Sequence, residues 1–212
     1  TNTKKKVIAR YILNDGDGHT DKGFKSEWAT VKDNKLYIGS IGKEWTTGSG
    51  QVLNHNPMYV KTIDLNGSIK SLNWVKQYNA LREAVGVPFP GYMIHESAEW
   101  SDFYKRWFFL PRRVSKLPYD EDEDVNRGAN IMIAASEDFK SITVKKIGEL
   151  TPTRGFSSFK FIPGRPREIV AVKSEEIGEK MRSYITVFTT SGKILLPETL
   201  IAEEKIEGLE IE

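Results

Sequence analysis

The sequence predicts an all-β protein, and two observations carry that expectation. Short runs of β-branched and aromatic residues recur along the 212 residues, each closed by Gly, Pro, Asn or Asp. Three phrases, Lys25-Ser26-Glu27-Trp28, His95-Glu96-Ser97-Ala98 and Gly155-Phe156-Ser157-Ser158, recur with a fourth, Glu207-Gly208-Leu209-Glu210, at intervals of about 50–70 residues. Each places a Glu or Ser at the start of a strand-like stretch. That interval suits a β-propeller, in which each blade is one four-stranded sheet around a central channel. One oxygen per blade at one height makes a ring of Glu27, Glu96, Ser157 and Glu207. Facing carboxylates repel unless a cation lies between them, and oxygen-only donors favour Ca2+ over zinc or copper.

The elements follow in order. Residues 7–13 read as a strand and 14–19 as a turn. Residues 27–31 and 35–40 form a hairpin joined by Lys32-Asp33-Asn34. Residues 41–50 are a polar loop carrying Trp45. Residues 59–65 are a strand, Asn66-Gly67 turns the chain, and 68–74 return. Over 78–85 the apolar Tyr78, Leu81, Ala84 and Val85 share one helical face, and the Pro/Gly cluster at 87–91 ends the helix. Strands follow at 92–98 and 106–110, and 118–128 is a charged loop whose acidic run is a solvated tip. Strands at 129–135, 142–147, 156–162, 169–173, 184–189 and 193–196 complete the set.

The totals set limits. A net charge of +2 with 28% charged residues argues against a binder of nucleic-acid polymers held by bulk charge. With no cysteine, disulfides, thiolate catalysis and cysteine zinc sites are excluded. No apolar run reaches the ~20 residues of a membrane span. No apolar signal core follows Thr1-Asn2-Thr3-Lys4-Lys5-Lys6, so the chain is either cytosolic or has lost a leader. Asn66-Gly67-Ser68 fits the N-glycosylation acceptor pattern.

Longer phrases carry a family resemblance. They include Asp15-Gly16-Asp17-Gly18, Lys22-Gly23-Phe24-Lys25-Ser26-Glu27-Trp28, Gly42-Lys43-Glu44-Trp45-Thr46-Thr47 and Gly91-Tyr92-Met93-Ile94-His95-Glu96-Ser97-Ala98. Trp107-Phe108-Phe109-Leu110-Pro111-Arg112-Arg113, Gly155-Phe156-Ser157-Ser158-Phe159-Lys160-Phe161-Ile162-Pro163 and Leu196-Pro197-Glu198-Thr199 follow. In this order they resemble the calcium-dependent nucleotidases, the apyrase family of arthropod saliva and its vertebrate relatives. The resemblance implies a five-bladed β-propeller with calcium in its central tunnel. It implies hydrolysis of nucleoside di- and triphosphates to monophosphate and phosphate, in a secreted or lumenal setting. It places the calcium ligands on Glu27, Glu96, Ser157 and Glu207, the ring read from spacing. Family members begin with a further blade, so residues 1–212 are expected to form a single propeller domain incomplete at its N-terminus, about the C-terminal two-thirds. The absent N-terminal blade is then a partner the domain requires.

Polyphosphate hydrolysis needs a cation on the phosphate oxygens and a positioned water. Arg112, with a guanidinium fork suited to phosphate, and Lys43 are the candidate phosphate contacts, and Trp45 the candidate base-stacking platform. Only one of Arg112 and Arg113 is expected to face the tunnel, since strand faces alternate. Ser158 neighbours Ser157 on the opposite face. His95 reads as a packed, hydrogen-bonded histidine. The sequence does not identify the general base; Asp15 and Asp17 are the local candidates. Their run fails as an EF-hand, with Thr20 at the glycine place and Ser26 at the final glutamate place. No P-loop, His-Glu-x-x-His pair or Gly-x-Ser-x-Gly elbow is present, so direct water attack is the default. The reading from another class is a non-catalytic propeller stapled by calcium and used as a binding scaffold.

Overall fold

A computed structural model describes residues 8–211. Among them lie three four-stranded antiparallel sheets and two two-stranded ribbons, so the chain is all-β with short helical insertions. The first sheet runs β1 (Trp28–Lys32), β2 (Lys35–Gly39), β5 (Tyr59–Ile63) and β6 (Ile69–Asn73) in chain order. Between β2 and β5 the chain inserts the ribbon β3 (Trp45–Thr46) and β4 (Val52–Asn54). The second sheet is β8 (Ala98–Ser101), β9 (Arg106–Phe109), β11 (Ile131–Ser136) and β12 (Ile142–Lys146). Its excursion is the ribbon of β7 (Tyr92–Ile94) and β10 (Arg113–Ser115). The third sheet is β13 (Arg154–Ile162), β14 (Arg165–Ile177), β15 (Lys180–Thr189) and β16 (Ile194–Ala202). The first strands of the sheets are neighbours: β1 lies against β8, and β8 against β13.

Local chemistry explains the main elements. The β1–β2 turn needs two left-handed residues, and Asp33 (φ 50°) and Asn34 (φ 58°) are types that tolerate this. Along β1, Trp28, Thr30 and Lys32 are buried while Ala29 and Val31 face out, a period of two. α1 (Val75–Val85) begins three residues earlier than the apolar stripe predicts and stops at left-handed Gly86. Two apolar clusters separate the sheets. Trp28, Trp74, Trp100, Trp107, Tyr78 and Phe109 dominate the first, with Trp74 and Trp107 edge to face at 5.1 Å. The second packs Phe108, Leu110, Phe156, Phe159, Ile169 and Phe188.

Several expectations are corrected. Val7 of the first predicted strand lies outside the described residues. The remainder, 8–13, is not a strand: it has no ladder partner among the described residues, and Ile8 and Ile12 are largely exposed. The strand predicted over 92–98 breaks at 95–97. There the His95 N–H donates to Ile41 O, and Ser97 Oγ to Leu110 O. The loop predicted over 41–50 contains β3. The acidic tip folds into α2 (Glu121–Asp124), capped by the Asp120 carboxylate. In the third sheet β14 runs past the predicted 169–173 at both ends, and Ser174 and Glu175, polar in sequence, are buried within it; β16 runs past the predicted 196 to Ala202.

Candidate functional site

The site stands where the chain leaves one sheet for the next. The break after β7 presents Glu96, the approach to β10 presents Arg112 and Arg113, and the insertion after β2 presents Lys43 and Trp45. All five line one cavity of about 480 Å³, with Tyr119, Asp124, Glu176 and Lys205. A second cavity, about 220 Å³, is lined by Glu27, Glu96, Ser158 and Glu207. Glu96 belongs to both walls.

Each ring carboxylate already has a cation. Lys25 Nζ stands 2.7 Å from Glu27 Oε1, yet outside hydrogen-bond alignment, so this buried oxygen receives no hydrogen bond. Arg112 donates to Glu96 Oε2 at 2.5 Å and to Glu176 Oε1 at 2.6 Å. Lys205 lies 2.6 Å from Glu207 Oε1. Burial raises the Glu96 carboxyl above its ordinary range, against the pull of Arg112. Among the described residues no three acidic or imidazole groups are already gathered as a metal cluster. The donors nonetheless fit a hard cation: carboxylates on one small cavity, one oxygen without a donor, and no soft ligand nearby.

Of the two adjacent serines, Ser158 and not the expected Ser157 lines the smaller cavity. The Ser158 Oγ accepts the Leu209 N–H. Ser157 is buried, and its Oγ donates to Ile206 O at 2.8 Å, next to Glu207. A hydroxyl that has given its proton keeps acceptor lone pairs.

Arg112 and Arg113 both line the larger cavity, against the expectation that only one would. The reason is that they sit where the chain enters a three-residue ribbon rather than within a regular strand. Arg113 is 3% exposed; its Nε lies 3.5 Å from Asp124 Oδ2, and its Nε and one terminal nitrogen receive no hydrogen-bond acceptor. Burial, then the Arg112 charge, lowers its basicity. Lys43 is buried, donates to Glu44 O and Thr46 Oγ1, and sits 4.1 Å from the Tyr119 ring centre. Burial lowers its ammonium to about 8. Trp45 is 39% exposed, with Lys22 Nζ 4.0 Å over its ring.

Asp15 and Asp17 line neither cavity. Their loop is fixed from below by the buried Lys61, which donates to Gly16 O, while Asp17 accepts the His19 N–H. His95 is packed against Tyr78 and Phe109 but not hydrogen-bonded: both ring nitrogens lack partners, and burial lowers its pKa to about 3. Sequence reasoning missed Asp124, which turns inward from the acidic run to accept from Tyr92 and pair with Arg113. It also missed Glu176 and Lys205. Two glycines let the strands carrying these groups touch. A Cβ on Gly155 would come within 1.9 Å of Arg112 O, and one on Gly128 within 2.1 Å of Arg154 O.

These features define an all-β protein with an arginine- and lysine-lined cleft abutting a carboxylate chamber, a combination suited to polyanions and a hard cation. The apyrase family model matches residues 1–212, and the chain belongs to the apyrase family. It is 53% identical over 206 residues to soluble calcium-activated nucleotidase 1 of Rattus norvegicus, covering 97% of this chain and 51% of that protein. It is 46% identical over 207 residues to the apyrase of Cimex lectularius, covering 97% and 57%. The chain thus spans about half the length of the curated relatives it matches. No helix among the described residues is long and apolar enough to cross a membrane.

Proposed function

We propose that this chain contributes the cation chamber and phosphate cleft of an enzyme that hydrolyses nucleoside di- and triphosphates to monophosphate and phosphate with Ca2+. The observation that carries the reading is Glu96, one carboxylate in the wall of both cavities. Relatives bearing the names apyrase and calcium-activated nucleotidase support it. Three sheets with adjacent first strands support the five-bladed propeller, a single domain spanning 1–212 and completed by an N-terminal part. A secreted or lumenal setting suits a calcium-dependent protein.

Glu27, Glu96 and Glu207 would hold the cation, with Ser157 adding a hydroxyl oxygen whose proton is committed to Ile206. Bound there, calcium supplies positive charge to phosphate oxygens and orders water. The chain's own groups do the rest. Arg113, buried with unused N–H groups, is set to receive phosphate oxygens without first breaking a full set of bonds. Arg112 bridges Glu96 and Glu176 and so ties the cleft to the chamber. Lys43 adds a cation near neutral pH, and Trp45 offers its ring at the rim to a base. Glu121, Asp124 and Glu176 are cleft carboxylates able to accept a proton from attacking water.

The test is phosphate release from UDP, GDP, ADP and ATP by the complete domain, with calcium and with chelator. Calcium-dependent release is expected. A calcium-induced rise in thermal stability without turnover would instead establish the scaffold reading.

A further inference from the structure

A second tier of side chains lies three residues beyond the ring: Thr30 after Glu27, Glu99 after Glu96, Lys160 after Ser157 and Glu210 after Glu207. Unlike the ring, it is closed upon itself. Thr30 Oγ1 donates to Glu99 Oε2 at 2.9 Å and accepts the Trp100 N–H at 3.1 Å. Lys160 Nζ lies 2.5 Å from Glu99 Oε1 and 3.5 Å from Glu210 Oε2. Thr30, Glu99 and Lys160 come from β1, β8 and β13, so the tier joins the first strands of all three sheets. Glu99, Lys160 and Glu210 line both the 220 Å³ chamber and a cavity of about 600 Å³ beyond it, forming the partition between them.

The two tiers differ in the source of their positive charge. Glu27 and Glu207 are met by lysines two residues away on their own segments, and the Lys25 side chain is 69% exposed. Such a lysine can swing into water when a stronger cation arrives. Lys160 instead reaches from β13 to β8 and is held between two carboxylates.

We infer that Lys160 is a built-in cation that fills the second tier and thereby limits the protein to one divalent ion, the one at Glu27, Glu96 and Glu207. This rests on the cation reading of the ring. Without the ammonium, Thr30, Glu99 and Glu210 form an oxygen-only set with two negative charges, a low charge count of the kind that goes with weak calcium binding.

Calorimetric titration of the complete domain with Ca2+ alone tests it. The unaltered protein is expected to bind one ion per chain. Lys160→Met is expected to bind two, the second in the ~10⁻⁴–10⁻³ M range of weak oxygen sites. Lys160→Arg, and Lys160→Met combined with Glu99→Gln, are expected to return to one. Thermal unfolding in chelator should show Lys160→Met destabilised, with millimolar calcium restoring it. One ion of unchanged affinity in Lys160→Met overturns the inference and leaves the ring reading standing; no ion in the unaltered protein overturns both. If Lys160→Met does not fold at any calcium level, Glu99→Gln with Glu210→Gln decides. It leaves Lys160 uncompensated below the ring, so calcium affinity should fall several-fold, and an unchanged affinity overturns the inference.

Discussion

Arg82 and Arg113 are both buried arginines, each in the wall of a different cavity, and their surroundings differ in kind. Arg82, on α1, meets Glu44 in a two-point ion pair at 2.8 and 2.9 Å and also reaches Asn79. Burial works against the Glu44 charge, but those bonds hold its carboxyl below the ordinary range. Arg113, in the wall of the larger cavity, has one distant carboxylate and buried N–H groups without an acceptor. Both leave Nε without an acceptor, so the difference lies in the carboxylate: a close two-point partner marks a joint, whereas a guanidinium with one distant carboxylate keeps capacity for a ligand, since an orphaned polar group costs stability.

The largest expected effect breaks the joint. Arg82→Met leaves a buried unpaired carboxylate and should cost about 3–5 kcal/mol in denaturant unfolding. A loss under about 1 kcal/mol would show that Glu44 finds water or another partner. Next, Glu96→Gln should weaken calcium binding at least ~10-fold and lower turnover with it, because an amide is a poorer ligand for a hard cation. Calcium dependence identical to the unaltered protein would remove Glu96 from the chamber's role. Arg113→Met should behave in the opposite way to Arg82→Met: stability within about 1 kcal/mol or higher, but KM for nucleotide raised ~10–100-fold through lost charge-assisted bonds. Destabilisation without a KM change would make Arg113 a joint after all.

Lys43 sharpens the contrast through pH. Its folded value of about 8 lies below the ordinary 10.5. Between those values the unfolded chain holds more protons, so this group's contribution to stability rises with pH across that window. Over the same window its charge is lost to any anion. Pyrophosphate affinity should therefore weaken several-fold from about pH 7 to about pH 9.5, and Lys43→Met should flatten that slope. Trp45→Ala should have the smallest effect, about 0.5–1.5 kcal/mol in nucleotide affinity with none in pyrophosphate affinity.

The residue pattern made the all-β class legible, and most of the candidate residues it named line the two cavities, Ser157 excepted: Ser158 takes its place in the chamber wall. Glu27, Glu96 and Glu207 were found from recurrence and line one chamber; Arg112, Lys43 and Trp45 line the adjoining cleft. What stayed hidden depended on tertiary neighbours. The acidic run at 120–124 has the composition of a solvated tip, and nothing local shows that Asp124 turns back to Tyr92 and Arg113. Asp15 and Asp17 had suitable chemistry, but Lys61, 44 to 46 residues onward, anchors their loop elsewhere. Strand alternation misjudged Arg113 because it enters a short ribbon. The long β14 of the third sheet extends beyond the stretch expected from sequence because its buried polar residues find partners on other segments of the chain, as Glu175 does with Thr153 and Tyr184.

Gly155 gives the cleft a mechanical property. Its backbone rests directly on the carbonyl of Arg112, with no room for even one methyl group. The third sheet therefore cannot slide past the arginine ribbon in small increments; either the contact holds or it parts. The spacing between the third sheet and the Arg112 backbone is thereby set by main-chain contact rather than by side-chain adjustment.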